Sequence, residues 1–127
     1  MNDFLSLLLK HQFKTFTVIQ EGTITASLGG SVRLPCSRSD GSVVGSNQPT
    51  WVYQALGSVP KGLVGSDATN HNIKPPGISD RLTGSISGGS AVLSIINVQA
   101  ADDGEYYCVL WTGSACTVLQ THTKLNK

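Results

Sequence analysis

The stretch Asp102-Asp103-Gly104-Glu105-Tyr106-Tyr107-Cys108 decides the fold, because it ends on a cysteine that lies inside strand-like sequence. A second cysteine, Cys36, lies 72 residues earlier in another strand-like run, and Trp51 follows it by 15 residues. A bridge between the two cysteines would close a long loop and contribute about 3–5 kcal/mol to stability in the chain-entropy model. If they pair, the chain belongs to an oxidising, secreted context. The alternative is two small buried hydrophobic residues in a cytosolic protein.

The middle of the chain alternates between apolar and polar residues in short runs. Ser31 to Cys36 places every second side chain on one face, and Ala91 to Val98 does the same before the alternation loosens. A single helical turn is predicted only over Val98 to Asp102. Turn sequences separate the runs: Leu28-Gly29-Gly30, Asp40-Gly41-Ser42, Ala55-Leu56-Gly57-Ser58, Lys74-Pro75-Pro76-Gly77 and Ser87-Gly88-Gly89-Ser90. Many short strands with frequent turns predict a β-sandwich or a barrel.

The composition predicts one globular domain without a strongly charged surface. The chain has 127 residues, of which 39% are hydrophobic and 13% are charged, and its formal net charge is +1. One domain accounts for about 100–150 residues, which excludes a multidomain enzyme. The charge balance offers no basic field for nucleic acid. No apolar run approaches the ~20 residues of a spanning helix. We therefore expect no nucleic-acid partner and no direct membrane insertion.

The residue types that carry catalysis and metal binding are scattered. No CxxC pair or His-x-x-x-His spacing accompanies the three cysteines, and His11, His71 and His122 lie in polar, loop-like or terminal sequence. Serine and aspartate are abundant, but no histidine occupies a strand-supported position beside them. The sequence therefore predicts no catalytic residues, no metal site and no cofactor.

The arrangement of Cys36, Trp51 and the Asp-x-Gly-x-Tyr-x-Cys run ending at Cys108 resembles the immunoglobulin variable domain. The resemblance covers roughly Thr17 to Ala115. It implies an all-β, V-type two-sheet Greek-key sandwich with a Cys36–Cys108 disulfide, Trp51 packed against the bridge and Tyr106 acting as a tyrosine corner. It also implies an ion pair between Arg81 and Asp102 that closes the lower end of the sandwich.

Two further runs are similar to lambda light chain variable segments: Pro76 to Ile86, which precedes the paired glycine turn, and Tyr106 to Trp111. This resemblance implies an extracellular antigen-recognition module, secreted or at the cell surface, that pairs with a heavy chain variable domain. Three hypervariable loops would bind antigen, within Ser37 to Thr50, about Ser66 to Lys74, and Val109 to about Ala115. The antigen-contact candidates are Asn47, Gln48, Asp67, Asn70, His71, Trp111 and Thr112.

The face that would meet the heavy chain is only partly retained. Gln54, Pro60 and Tyr107 match the family's partner-facing positions, whereas Val52 and Gly65 stand where light chains carry aromatic residues. Aromatic residues commonly anchor such interfaces, so their loss weakens the expected pairing. The alternative function is an invariant V-type module, such as a surrogate light chain or a cell-surface receptor fragment.

The two ends depart from the family pattern. Residues 1–16 resemble a defective leader or intron read-through, and we expect both ends of the chain to be poorly ordered. The joining motif Phe-Gly-x-Gly-Thr is missing, so we expect an incomplete or degenerate last strand, a domain over 17–115 and a polar tail over 116–127. Cys116-Thr117-Val118 can be encoded by the recombination heptamer, which would make the tail read-through and Cys116 a bystander to the fold. The alternative is that Thr117 to Leu119 forms a degenerate last strand.

Overall fold

The computed structural model describes residues 18–20, 23–111 and 116–126, and the side chains of residues 24–111. Within these residues the chain forms nine strands and two single 3₁₀ turns. The strands are β1 (Val18–Gln20), β2 (Thr23–Ser27), β3 (Val32–Arg38), β4 (Thr50–Gln54), β5 (Lys61–Gly65), β6 (Leu82–Ser87), β7 (Ser90–Ile95), β8 (Gly104–Trp111) and β9 (Cys116–Asn126), and the turns are Gly45–Asn47 and Ala100–Asp102. The helical turn expected near residue 100 is therefore present.

The strands form two sheets. The four-stranded sheet has the order β1-β3-β7-β6, and the five-stranded sheet has the order β2-β9-β8-β4-β5. Neighbouring strands are antiparallel except for β2 and β9, which are parallel. The β6–β7 hairpin turns through Gly88 and Gly89, which both have positive φ, as the tightest hairpin turns require. The all-β, two-sheet sandwich predicted from the sequence is confirmed.

The core lies between the sheets and contains the predicted disulfide. Cys36 on β3 and Cys108 on β8 are bonded, with Cα atoms 6.4 Å apart, and so join one sheet to the other. Trp51 is buried in the same apolar cluster and lies opposite Cys108 in the β4–β8 ladder. Alternate residues of β8, including Tyr106 and Leu110, also face this cluster. The covalent link and the buried apolar side chains hold the two sheets face to face.

The last strand differs from the sequence expectation. β9 runs from Cys116 to Asn126, pairs with β8 over eight residue pairs and continues along β2. The predicted domain end at residue 115 and the polar tail beyond it are therefore corrected, because residues 116–126 belong to the sheet. Backbone hydrogen bonds hold a strand, and the threonine, valine and leucine residues of this segment suit an extended chain without the Phe-Gly-x-Gly motif. The backbone of Cys116 is part of the ladder, opposite Trp111. Residues 1–16 lie outside the described residues.

Candidate functional site

Two of the predicted recognition loops and the strand end that leads into the third lie at one end of the sandwich. Loop 1 (residues 39–49) joins β3 to β4, loop 2 (residues 66–74) follows β5, and loop 3 (residues 112–115) joins β8 to β9. Loop 3 itself lies outside the described residues, and the structure describes Trp111 and Cys116 on either side of it. Thr112, one of the antigen-contact candidates, therefore lies outside the described residues.

A cleft of about 400 Å³ opens between loop 1, loop 2 and the end of β8. Trp111 is 39% exposed and offers an aromatic surface at its edge. The lining residues are Ser46, Gln48, Asp67, Ala68, Thr69 and Trp111. Small polar side chains beside one exposed indole suit adaptable recognition, because the hydroxyl and amide groups can donate and accept while the ring supplies a rigid apolar contact.

Loop 2 is ordered by the carboxylate of Asp67. Its Oδ1 accepts hydrogen bonds from the Thr69 amide (2.8 Å), the Thr69 hydroxyl (2.9 Å) and the Asn70 amide (2.7 Å). The backbone hydrogen bonds from Thr69 and Asn70 and the Thr69 hydroxyl lower the pKa of Asp67, so its charge is fixed in the turn. Ser66 donates to the His71 carbonyl oxygen at 2.9 Å and closes the same loop. Loop 2 therefore presents a formed surface.

The antigen-contact candidates divide by exposure. Gln48 and Asn70 are exposed, and Asp67 and His71 are half-buried beside them. Asn47 does not fit the prediction, because only 6% of its surface is exposed and its side-chain amide is hydrogen-bonded within the chain. It holds the loops together, and its burial could not be seen in the sequence because the groups that cover it come from β8 and from loop 1 itself.

The opposite end of the sandwich is closed by the predicted ion pair. Both oxygens of Asp102 lie 2.9 Å from the two terminal nitrogens of Arg81, and Asp102 also accepts from the Gln99 amide at 2.8 Å. Tyr106 donates its hydroxyl to the Asp102 carbonyl oxygen at 2.6 Å, as a tyrosine corner does. Burial and the Asp102 charge raise the pKa of Tyr106, so its hydroxyl stays protonated.

Tyr53 at this end was not identified from the sequence. Tyr53 donates to the carbonyl oxygens of Ala101 (3.1 Å) and Asp103 (2.7 Å), and its ring centroid lies 5.0 Å from that of Tyr106. A Cβ atom on Gly104 would lie 2.6 Å from the Tyr53 ring, so only glycine fits there. The alternation on β4, with Tyr53 two residues after the buried Trp51, is the sequence signal that could have found it.

The predicted partner face lies on the outer side of the five-stranded sheet. Gln54 and Pro60 are half-buried there, and Gln54 donates to the Ser58 carbonyl oxygen at 2.8 Å. Tyr107 differs from the prediction: it is only 1% exposed, and its hydroxyl donates to the Glu105 carboxylate. Burial, and the hydrogen bond that the hydroxyl donates to Glu105, raise the pKa of Tyr107. It therefore has almost no free surface to offer a partner.

Exposed apolar side chains lie instead on the β4–β5 hairpin. Leu56 is fully exposed and Val59 is 82% exposed, next to Pro60. Among residues 24–111 no group of three or more histidine, cysteine or acidic side chains is placed to hold a metal ion. In the part of the chain that the structure describes, no helix has the length and apolarity needed to cross a membrane.

A comparison with known families agrees with these features, which are the disulfide, the tryptophan opposite Cys108, the tyrosine corner and the two sheets. The family model for the immunoglobulin V-set domain matches residues 19–126. The match includes both sheets and extends to the end of β9, so it covers most of the chain. This chain therefore belongs to the immunoglobulin V-set domain family.

Proposed function

We propose that this chain is the antigen-recognition domain of an immunoglobulin lambda-like light chain, which pairs with a heavy chain variable domain and presents three hypervariable loops. V-set domains are in general non-enzymatic binding modules that are typically extracellular and commonly pair with other immunoglobulin domains. The observation that carries the proposal is the cleft between loop 1, loop 2 and Trp111. It gives the loop end of the sandwich a concave surface with polar groups and an aromatic contact.

The light-chain assignment is supported by the similarity of Pro76 to Ile86 and Tyr106 to Trp111 to lambda segments. The partner surface that we propose is the outer face of the five-stranded sheet at Gln54, Val59 and Pro60. The exposed Val59 supports this location, because apolar side chains at the centre of an interface lose water when a partner covers them.

A second function is favoured by a different set of observations. Tyr107 is already covered within the chain, and Val52 and Gly65 replace aromatic residues at the partner face. β9 completes the five-stranded sheet with residues 116–126 and no added joining segment. These features support an invariant V-type module, such as a surrogate light chain or a receptor fragment, which acts without rearrangement.

Two measurements distinguish these functions. Titration of the purified chain with heavy chain variable domains, followed by sedimentation velocity, is expected to show a 1:1 complex at micromolar concentrations if the chain is a light chain. Sequencing of transcripts is expected to show Trp111-Thr112-Gly113 joined to a Phe-Gly-x-Gly segment. A monomer that stays unpaired, with transcripts that continue through residues 116–127, would contradict the light-chain proposal and support the invariant module.

A further inference from the structure

The 3₁₀ turn Gly45–Asn47 lies between loop 2 and the end of β8. Asn47, the last residue of the turn, donates from Nδ2 to the Trp111 carbonyl oxygen at 2.8 Å. Its Oδ1 accepts from the Val44 amide at 2.9 Å, and the Arg38 guanidinium lies 3.5 Å from the same oxygen. Both ends of this buried amide are therefore used, one to shape loop 1 and one to attach loop 1 to the end of β8.

Gly45, the first residue of the same turn, attaches loop 1 to loop 2 by direct contact of the two backbones. A Cβ atom on Gly45 would lie 2.6 Å from the Asp67 carbonyl oxygen and 2.8 Å from the Ala68 Cα atom. Both neighbours are backbone atoms of the turn that the Asp67 carboxylate fixes, so they cannot move aside by a side-chain rotation. Any side chain larger than hydrogen at residue 45 must displace loop 2.

The residue between them, Ser46, is exposed and lines the cleft. One three-residue turn thus contacts loop 2 through its first residue, the cleft through its second, and the β8 end through its third. Arg38 supports the turn from β3, because its bidentate pair with Asp40 (2.8 and 2.7 Å) leaves Nη1 directed at Asn47. The arrangement fixes the distances among the walls of the cleft.

We propose that Gly45 and Asn47 are the positioning residues of the recognition surface: they set the placement of loop 1 relative to loop 2 and to the end of β8, and hence the shape of the cleft. Neither residue contacts the ligand in this role. The effect of these two residues on binding specificity rests on the proposed function. The attachment of loop 1 to its neighbours can be measured without any ligand. The role predicts that changes at 45 and at 47 act on different loops.

The test compares three variants of the full chain by amide hydrogen exchange. Asn47→Asp has nearly the same shape and keeps the acceptor for Val44, but it replaces the donor to the Trp111 carbonyl with an oxygen. We expect exchange on either side of loop 3 to quicken by on the order of tenfold, as for loss of one hydrogen bond, with loop 2 unchanged. Gly45→Ala is expected to quicken exchange in residues 66–72 and leave the end of β8 unchanged.

The matched control is Asn70→Asp, which makes the same chemical change on an exposed loop 2 side chain and keeps the Oδ1 acceptor for the Asn72 amide. It is expected to change exchange at neither end of the cleft. Urea unfolding of each variant separates local from global effects. If Asn47→Asp unfolds the domain, Asn47 is a general fold residue and its positioning role is overturned, and Gly45→Ala then tests loop 2 by itself.

A second readout uses a nanobody that is selected against the wild-type chain. The nanobody chosen is one that binds the Trp111→Ala variant more weakly, which shows that it contacts the cleft. We expect Asn47→Asp and Gly45→Ala each to weaken this nanobody at least tenfold through faster dissociation. Equal exchange at both loops in the two variants, or unchanged exchange in both, would overturn the inference. Those outcomes leave the heavy-chain titration unaffected, so failure of the positioning role is distinguished from failure of the proposed function.

Discussion

At the scale of single residues, Asp102 connects separate parts of the structure through its hydrogen bonds with Arg81 and Gln99. Burial alone would raise the pKa of Asp102, but the hydrogen bonds from Arg81 and from the Gln99 amide outweigh it and lower the pKa. Arg81 also donates to the carbonyl oxygens of Ile96 (3.2 Å) and Asn97 (3.1 Å). The pair thus ties the end of β7 to the second 3₁₀ turn, and removing one partner leaves the other poorly compensated.

Replacement of Asp102 tests this connection. Asp102→Asn is expected to lower the free energy of unfolding by about 2–3 kcal/mol at neutral pH, because Arg81 loses its charged partner. Since the folded-state pKa of Asp102 is lowered, its contribution is complete above about pH 4 and is lost as the pH falls further. The variant should therefore lose less stability than wild type on acidification. Urea unfolding at several pH values measures both effects, with the adjacent exposed Asp103→Asn as the control that changes little.

Tyr106→Phe tests the tyrosine corner. The change removes the hydroxyl that donates to the Asp102 carbonyl oxygen and is expected to cost about 1–2 kcal/mol. Because the folded-state pKa of Tyr106 is raised, wild-type stability should fall as the pH rises above about 10, where the unfolded tyrosine ionises. The variant should show a shallower alkaline loss in chemical unfolding between pH 8 and 11. An identical alkaline slope in both proteins would show that Tyr106 is not the group responsible.

At the scale of elements, the loop 2 segment protects an edge strand of each sheet. Ile73 exchanges backbone hydrogen bonds with Gly65 at the end of β5 (2.8 Å each). Asn72 accepts from the Gly84 amide at 3.0 Å, so the same segment contacts β6. Unpaired edges can recruit other chains, and covering them is one way to prevent it. The segment that carries part of the recognition surface therefore also closes the side of the sandwich.

Deletion of β9 tests whether the sheet needs residues 116–127. A chain that ends at Ala115 would leave both β8 and β2 without their common neighbour, so we expect loss of cooperative unfolding in circular dichroism or a large fall in the urea midpoint. Fusion of a Phe-Gly-x-Gly-Thr joining segment after Ala115 is the matched control and should restore the fold. A truncated chain with the wild-type midpoint would instead support the view that these residues are a bystander tail.

The sequence predicts the strands in which apolar and polar residues alternate. It does not predict structure or burial that depends on residues distant in the sequence. Alternation within strand-like sequence is enough to predict that Cys36 and Cys108 face inward, whereas the role of Trp51 follows from the resemblance to the immunoglobulin variable domain. The sequence predicts only an incomplete or degenerate last strand, with Thr117 to Leu119 as one alternative. The full length of β9 is not predicted because its polar composition gives no alternating signal, while its stability comes from backbone pairing with β8 and β2. A loop position predicts an exposed Asn47, yet its side-chain amide is buried and donates to a carbonyl oxygen 64 residues away.

At the scale of the whole molecule, the sandwich carries two surfaces of different kinds. The loop end has a cleft whose walls are attached to one another. The outer face of the five-stranded sheet has a buried tyrosine, Tyr107, and an exposed apolar hairpin with Val59. A residue that is already buried in the free chain contributes to stability, whereas an exposed apolar residue contributes to association when a partner removes it from water. Stability and pairing should therefore respond to different substitutions.

Two substitutions on this face separate folding stability from pairing. Tyr107→Ala is expected to cost about 3 kcal/mol or more of folding free energy, with any loss of pairing following from the folding defect. Val59→Asp is expected to leave the urea midpoint within about 0.5 kcal/mol of wild type, because the side chain is exposed, yet weaken binding to a heavy chain variable domain at least tenfold. Leu28→Asp, an equally charged change at an exposed leucine in the β2–β3 turn, is the control for net charge. Calorimetric titration and urea unfolding are measured on the same preparations. If Val59→Asp and Leu28→Asp bind the heavy chain variable domain with equal affinity, the hairpin is not part of a pairing surface. That result would favour the invariant V-type module, in which the outer face of the five-stranded sheet need not bind a heavy chain.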